Sequence, residues 1–93
     1  MPLTFEWDGE KAASNAKKQG VSFEEASTIF GDERSLTIDD PVHSQSEARL
    51  ITLGRSHDGR LLVVVHTERG NNIRIISARR ASRREKRTYE EIS

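Results

Sequence analysis

Two residues at the end of an apolar segment have the types used in acid–base chemistry on phosphates. His66 and Arg69 follow Leu61–Val65, a run that is typical of a central strand. Polar side chains at a strand end reach solvent beside a rigid scaffold, and histidine exchanges protons near neutral pH. Metal-free RNA cleavage needs proton-transfer groups and cations that face the charged phosphorane. His66 is therefore a candidate proton-transfer residue; the alternative is a strand-end histidine that makes a structural hydrogen bond.

A cluster of basic residues accompanies this pair. Between positions 69 and 87, eight basic residues stand against one acid, Glu85, and seven of the eight are arginine. Arginine binds phosphate through two parallel N–H groups, and a basic half-domain is typical of a nucleic-acid or anion binder. The alternative is a solvated helix face with its partner charges elsewhere in the fold. The cluster consists of Arg69, Arg74, Arg79, Arg80, Arg83, Arg84, Lys86 and Arg87.

Three of these arginines surround the junction between a predicted strand and a predicted helix. Strand alternation sends Arg79 and Arg80 to opposite faces, and Arg83 opens the helix, where free amides add phosphate donors. We expect Arg69 and Arg79 to hold one scissile phosphate. Arg80 and Arg83 are expected to position the nucleic-acid backbone beside it.

Two aromatic residues and a lysine complete the candidate site. Trp7 ends the first predicted strand, and Lys11 lies in the first turn of the following helix. Trp7 or Tyr89 would stack on a base, and Tyr89 would alternatively donate a proton to an oxyanion. For both rings the competing interpretation is packing in the core, because the chain has few other aromatic residues.

Composition restricts the class of protein. The 93 residues predict one domain, 1–93, and the absence of cysteine excludes a disulfide framework and a thiolate nucleophile, which fits a cytoplasmic protein. The apolar runs are too short to span a membrane. His43, His57 and His66 lack the spacing of metal ligands, so we expect neither metal nor cofactor. Residues 1–47 carry ten acids and four bases, whereas residues 48–93 carry five acids and eleven bases.

Periodicity and turn signals predict an α+β domain with the order β-α-α-β-β-β-β-α, in which antiparallel hairpins carry helices gathered on one side. Asp8 is expected to cap the first helix and Gly20 to end it, and Ser22 with Glu25 predicts a capping box for the second. The predicted elements are strands Leu3–Trp7, Ser35–Ile38, Arg49–Arg55, Arg60–Glu68 and Ile73–Arg79, helices Lys11–Lys18, one after Ser22, and Ser82–Ile92, and a loop Asp39–Glu47.

Several segments resemble the BrnT toxin family, in family order and over nearly the whole chain. The stretch Arg74–Arg79 is the most specific part of the match. The chain departs from the family at one position: the family often has Lys-His-Gly before its second helix, and this chain has Lys18-Gln19-Gly20. The matching segments are Phe5–Asp8, Lys11, Asn15, Gly20–Ala26, Phe30, Glu47–Arg49, Gly54, Val64–Arg69, Arg74–Arg79 and Glu85–Tyr89.

The resemblance implies a RelE-like fold and a ribonuclease toxin of a type II toxin–antitoxin system that arrests translation. It implies neutralisation by a BrnA-like ribbon-helix-helix antitoxin, whose complex with the toxin binds operator DNA, and it leaves a homodimer or a 2:2 complex open. The family's residues for RNA cleavage would map onto Trp7, Lys11, His66, Arg69, Arg79 and Tyr89.

A second hypothesis is a non-catalytic module whose basic half binds nucleic acid or an acidic protein. It predicts binding with a steep salt dependence and no turnover. The identity of the general base stays open under the first hypothesis, because RelE-like sites use arginine, lysine or tyrosine in place of paired histidines.

Overall fold

A computed structural model describes residues 3–40, 42 and 48–92. The predicted loop around Pro41 lies largely outside these residues, as does His43. The predicted order of strands and helices is confirmed, with bounds within a few residues of those expected. The elements are β1 (Thr4–Glu6), α1 (Gly9–Gln19), α2 (Phe23–Ser27), a 3-10 helix (Thr28–Gly31), β2 (Leu36–Asp39), β3 (Arg49–Arg55), β4 (Leu61–Arg69), β5 (Asn72–Arg80) and α3 (Arg83–Ile92).

Local capping explains where α1 begins and ends. The Asp8 carboxylate accepts hydrogen bonds from the backbone N–H groups of Glu10 and Lys11, at 2.8 and 3.1 Å. Gly20 takes the left-handed conformation, with φ of 69°, and its N–H donates to the Ala16 carbonyl. Both caps satisfy backbone groups that a helix end leaves unpaired, so the caps predicted from sequence are confirmed.

The predicted capping box at α2 forms only in part. Ser22 Oγ accepts from the Glu25 N–H at 3.0 Å, but the Glu25 carboxylate binds Arg60 and Ser56 instead of returning to Ser22. The reciprocal arrangement occurs at α3. There the Ser82 N–H donates to Glu85 Oε1 at 2.8 Å, and the Glu85 N–H donates to Ser82 Oγ at 3.2 Å.

The five strands form one sheet in the order β1-β5-β4-β3-β2. Strands β2 to β5 pair antiparallel, as predicted, whereas β1 pairs in parallel with β5 and makes the sheet mixed. Gly59 and Gly70, with φ of 84° and 63°, lie in the turns that join β3 to β4 and β4 to β5, where positive φ favours glycine. No helix within the described residues is long and apolar enough to cross a membrane.

The two faces of the sheet are covered differently. Helices α1 and α2 and the 3-10 helix cover one face, and the core lies between them and β4 and β5. The prediction that all helices gather on one side is wrong for α3, whose Thr88 and Ile92 lie over Ile51 and Val63 on the opposite face. The buried core consists of Val21, Phe23, Ala26, Ile29, Leu62, Val64, Ile73, Ile75 and Ala78.

Candidate functional site

His66 is buried in the core and does not reach solvent at the end of β4. Its side chain is 0% exposed, and its ring packs edge-on against Phe30 with centroids 4.8 Å apart. Because His66 pairs with Leu50 and Ile75 across the sheet, it points to the helix-covered face. The expectation that it reaches solvent is therefore wrong, because the helices cover this face of β4 and three further ladder residues follow His66 before the strand ends.

One hydrogen-bond chain connects His66 with the sheet edge. His66 Nε2 lies 2.7 Å from Thr52 Oγ1, which lies 2.8 Å from Thr37 Oγ1 on the exposed strand β2. The other ring nitrogen, Nδ1, is buried and has no hydrogen-bond partner among the residues that the structure describes. Burial lowers the pKa of His66 to about 4, because a charged imidazolium would be desolvated. The ring is therefore neutral at physiological pH.

Arg69 and Arg79 lie at opposite ends of the sheet. Arg79 pairs with Val63 and Arg69 pairs with Asn72, so six residues of β4 separate the two positions. At about 3.3 Å per residue this separation is about 20 Å. The two arginines therefore do not contact the same phosphate in this structure, contrary to the sequence-based expectation.

Arg79 is held in one orientation by Glu85. Its Nη1 and Nη2 donate to Glu85 Oε1 and Oε2, each at 2.8 Å. This fork lowers the pKa of Glu85 to about 2, with help from the hydrogen bonds of Ser82. The side chain of Arg79 is 47% exposed, so this arginine is both fixed in position and accessible.

Arg79 lines a groove at the edge of β5. One wall is α1, and the other is the face of the sheet opposite to the one that α1 and α2 cover. The groove comprises two adjoining cavities of about 260 and 200 Å³ that share Asn15 and Gln19. Lys11 and Lys18 lie along one end, and Arg79 lies at the other. We call this feature the α1 groove. Its polar lining consists of Lys11, Ser14, Asn15, Lys18, Gln19, Ser77, Arg79 and Glu85.

Asn15 fixes α1 beside β5 and thereby shapes the groove. Its Nδ2 donates to the carbonyls of Ala78 and Val21, at 2.9 and 3.0 Å, and its Oδ1 accepts from the Ala78 N–H at 3.2 Å. The side chain satisfies backbone groups of β5 beyond the point where β1 stops pairing. Sequence reasoning gave Asn15 no function, because nothing local signals an amide that bonds a strand 63 residues away.

The predicted aromatic contacts are packed inside the protein. Tyr89 is 6% exposed, its hydroxyl donates to Asp32 Oδ2 at 2.7 Å, and Arg55 lies over its ring. Trp7 is half-buried and packs edge-on against Phe23, with centroids 6.0 Å apart. Neither ring is presented as a free stacking platform, so the packing interpretation of these residues describes the structure.

The remaining arginines at the α3 end are exposed. Arg80 pairs with Leu62 on the face opposite to Arg79, as strand alternation predicts, and Arg83 begins α3. Gln19, at the position where the resembled family often has histidine, lines the α1 groove together with Arg79 and Glu85. Sequence reasoning did not select Gln19, Ser77 or Glu85, because their proximity depends on how α1 crosses the sheet edge.

No group of three or more histidine, aspartate or glutamate residues is arranged to hold a metal ion in the described ranges 3–40, 42 and 48–92. The groove offers lysine and arginine cations, an ion-paired carboxylate and neutral amide and hydroxyl groups, beside apolar side chains of the sheet that include Ile51, Val63 and Val65. Such a lining can bind a phosphodiester and stabilise added negative charge on it.

Comparisons with known proteins identify the fold and the family. The crystal structure of the Brucella abortus ribonuclease toxin BrnT, at 1.1 Å resolution, superposes with a TM-score of 0.68. The sequences are 20% identical, over 87% of this chain and 99% of that chain, so this likeness shows a shared fold. No curated protein sequence matches significantly. A family model described as "Ribonuclease toxin, BrnT, of type II toxin-antitoxin system" matches residues 7–85. The chain therefore belongs to the BrnT family of ribonuclease toxins.

Proposed function

We propose that this protein is a metal-independent endoribonuclease toxin that binds and cleaves messenger RNA in the α1 groove. The observation that carries the proposal is the Arg79–Glu85 fork, which holds an exposed guanidinium at one end of a cationic groove. Membership in a ribonuclease toxin family supports RNA as the substrate. Lys11 and Lys18, at the other end of the groove, bind the flanking phosphates.

The chemical role of Arg79 follows from how RNA is cleaved without metal. The 2′-oxygen forms a bond to phosphorus, the bond from phosphorus to the 5′-oxygen breaks, and one proton leaves the 2′-hydroxyl while another reaches the 5′-oxygen. Negative charge accumulates on the non-bridging oxygens of the pentacoordinate phosphorane during this exchange. A guanidinium that is already oriented stabilises that charge without reorganisation during the reaction. Glu85 is a positioning residue in this proposal, because its carboxylate acts by holding Arg79.

His66 does not contact the α1 groove, so its catalytic role stays a prediction. A proton-transfer residue must come within hydrogen-bond reach of the reacting oxygen, directly or through one water. Among the described residues, the hydroxyls of Thr52 and Thr37 connect His66 to the surface, at β2 and away from the groove. His66→Gln tests the role, because glutamine can still accept a hydrogen bond from Thr52. A cleavage loss of about 100-fold with unchanged thermal stability would support catalysis by His66; retained cleavage would contradict it.

The type II family implies a protein antitoxin, and we propose a BrnA-like ribbon-helix-helix protein. The toxin would reach operator DNA only through that complex, in the cytoplasm. A second groove of about 360 Å³ supports a protein partner, because its lining includes Ile38 and Ile92, which are 63% and 67% exposed. It adjoins the α1 groove and shares Ile38, Ile51, Val63 and Glu85 with it. We call it the α3 groove. An apolar segment of the antitoxin would cover these side chains and release ordered water.

Cleavage of a defined single-stranded RNA in the presence of EDTA tests the proposed activity. We expect the wild type to cut, and Arg79→Gln to cut about 100-fold or more slowly, the loss typical of removing one oxyanion donor. Arg87→Gln is the matched control, because Arg87 is an exposed arginine that lines neither part of the α1 groove. Equal cleavage by the Arg79 and Arg87 variants would contradict the role of Arg79, and dependence on a divalent cation would contradict metal independence.

The alternative is a non-catalytic module that binds nucleic acid or an acidic protein through its basic half. The observation that favours it is the row of exposed cations on α3, where neither Arg83 nor Arg84 has a side-chain partner among the described residues. RNA binding that weakens steeply with salt, without turnover, would support this alternative. Turnover that Arg79→Gln abolishes would exclude it.

A further inference from the structure

Four cations from four segments of the chain converge on a cavity outside both grooves. The cavity has about 230 Å³ and lies at the end of the sheet where β5 leads into α3. Arg55 closes β3, Arg60 precedes β4, Arg80 ends β5 and Lys86 lies on α3. We call this cavity the α3 pocket. Its remaining lining residues are Gly59, Leu61 and Ala81.

Two of the four cations keep their side-chain donors unused within the described part of the chain. The side chains of Arg80 and Lys86 are exposed and make no hydrogen bond or ion pair to described residues. Arg55 uses Nη1 for the Gly59 carbonyl and stacks on Tyr89. Arg60 uses Nε and Nη2 for Glu25 and the Gly20 carbonyl. Several N–H donors therefore remain available to an anion in this pocket.

The carboxylates near the pocket are already occupied. Glu25 accepts from Arg60 and Ser56, which together with the Arg60 charge lower its pKa. Asp32 accepts from the Tyr89 hydroxyl and the Arg55 N–H. Asp58 lies 3.4 Å from the imidazole of the exposed His57. The charge of Arg80 also helps to lower the pKa of Glu25, but no carboxylate forms an ion pair with Arg80 or Lys86 within the described residues. These two cations therefore keep their N–H donors for a bound anion.

The position of the pocket relative to the α1 groove indicates which anion fits. Arg79 lines the groove and Arg80 lines the pocket; they are consecutive residues on opposite faces of β5. Their Cα atoms are about 3.8 Å apart, but their side chains leave opposite faces of the strand. Only a long anion that passes around β5, such as a chain of phosphates, could contact both residues. An isolated small anion would have no reason to bridge the two.

We propose that the α3 pocket binds a phosphodiester of the RNA that flanks the segment held in the α1 groove. The proposal rests on RNA being the substrate and extends the contact surface around the end of β5. Arginine supplies three of the four cations, and its planar fork matches phosphate oxygens bidentately. The pocket sets affinity and register of the RNA, and Arg79 acts on the scissile phosphate.

Binding of a short single-stranded oligodeoxynucleotide tests the pocket separately from cleavage, because this probe has phosphodiesters but no 2′-hydroxyl. The variant is Arg80→Gln with Lys86→Gln. The matched control is Arg87→Gln with Lys17→Gln, which removes the same charge from exposed residues outside the pocket. We expect the pocket variant to bind about tenfold more weakly than the control. The slope of log K against log salt concentration should fall by about 0.7, the value for one lost phosphate contact on a single strand.

Each further outcome decides one question. With RNA as substrate, the pocket variant should raise KM in step with its weaker binding, whereas Arg79→Gln should lower kcat. Weaker oligonucleotide binding by the pocket variant, in a protein that cleaves no RNA, would support the pocket and reject the proposed activity. Equal binding by variant and control would overturn the pocket proposal. A pocket that binds inorganic phosphate but not the oligonucleotide would also overturn it. So would a pocket variant that is impaired in antitoxin binding and unchanged in oligonucleotide binding.

Discussion

The guanidinium of Arg79 and the carboxylate of Glu85 face each other through two parallel hydrogen bonds of 2.8 Å. The same carboxylate accepts the Ser82 N–H at the start of α3. One side chain therefore joins the end of β5 to the first turn of α3. The orientation of Arg79 in the α1 groove and the formation of the first turn of α3 are consequently coupled.

This coupling predicts an acid-dependent loss of stability. The pKa of Glu85 is lowered to about 2 from an ordinary 4.5, so the ionised form favours the folded state. Its contribution is fully present above pH 4.5 and is lost as the pH falls from about 4.5 to about 2. We expect Tm measured against pH to fall for the wild type over this range and to approach the Tm of Glu85→Gln at low pH. Curves that stay parallel would contradict the ion pair.

His66 predicts a second pH dependence in a higher range. Its pKa is lowered from 6.5 to about 4 by burial, so the unfolded chain takes up a proton before the folded one does. Stability should fall as the pH drops from about 6.5 to about 4, by an amount on the order of 3 kcal/mol. His66→Gln should flatten this part of the curve. His57→Gln is the control, since His57 is exposed, and an equal flattening there would contradict the assignment.

Asn15→Ala should destabilise the protein without touching the hydrophobic core. The substitution leaves the N–H and carbonyl of Ala78 and the carbonyl of Val21 without their side-chain partner. Partly buried groups left unpaired cost about 2 kcal/mol in total, which lowers Tm by about 10 °C in a domain of this size. Differential scanning calorimetry measures the shift. Ser14→Ala, one residue earlier on the exposed side of α1, should change Tm little.

Ile92→Asp should weaken antitoxin binding and leave RNA cleavage intact. Ile92 is 67% exposed and lines the α3 groove, so the change does not disturb a buried site in the free toxin. A carboxylate buried against an apolar segment of the partner would be desolvated. Titration calorimetry with the antitoxin should show at least a tenfold weaker Kd. Ile92→Leu is the control, and an unchanged Kd for Ile92→Asp would place the antitoxin elsewhere.

Local signals account for the parts of the fold that sequence predicts well. Asp8 and Gly20 delimit α1 because their capping bonds involve residues within four positions. Strand β3 has the predicted bounds, Arg49–Arg55, because it lies between polar segments that include an Asp-Gly turn. Arg60 shows the limit of such reasoning. It takes the Glu25 carboxylate from 35 residues away, and no local rule anticipates that competition with the capping box.

The candidate site was harder to predict, for two different reasons. The burial of His66 depends on which face of β4 the helices cover, and a strand that is apolar on both faces carries no such information. The distance between Arg69 and Arg79 could have been inferred from the sequence. Each lies near the end of its strand, and consecutive antiparallel strands run in opposite directions, so their last residues lie far apart along the strand axis. Gln19 could be placed in the groove only once the path of α1 over β5 was known.

The Asn15 amide also determines how copies of this protein can associate. By bonding both backbone groups of Ala78, it occupies the edge of β5 where an added strand would otherwise pair. At the other end of the sheet, β2 pairs with β3 alone among the described strands. Asn15 therefore blocks strand addition along the part of β5 that β1 does not cover. Among the described strands, another chain could add only to the outer edges of β1 and β2, and β1 offers three residues and β2 four.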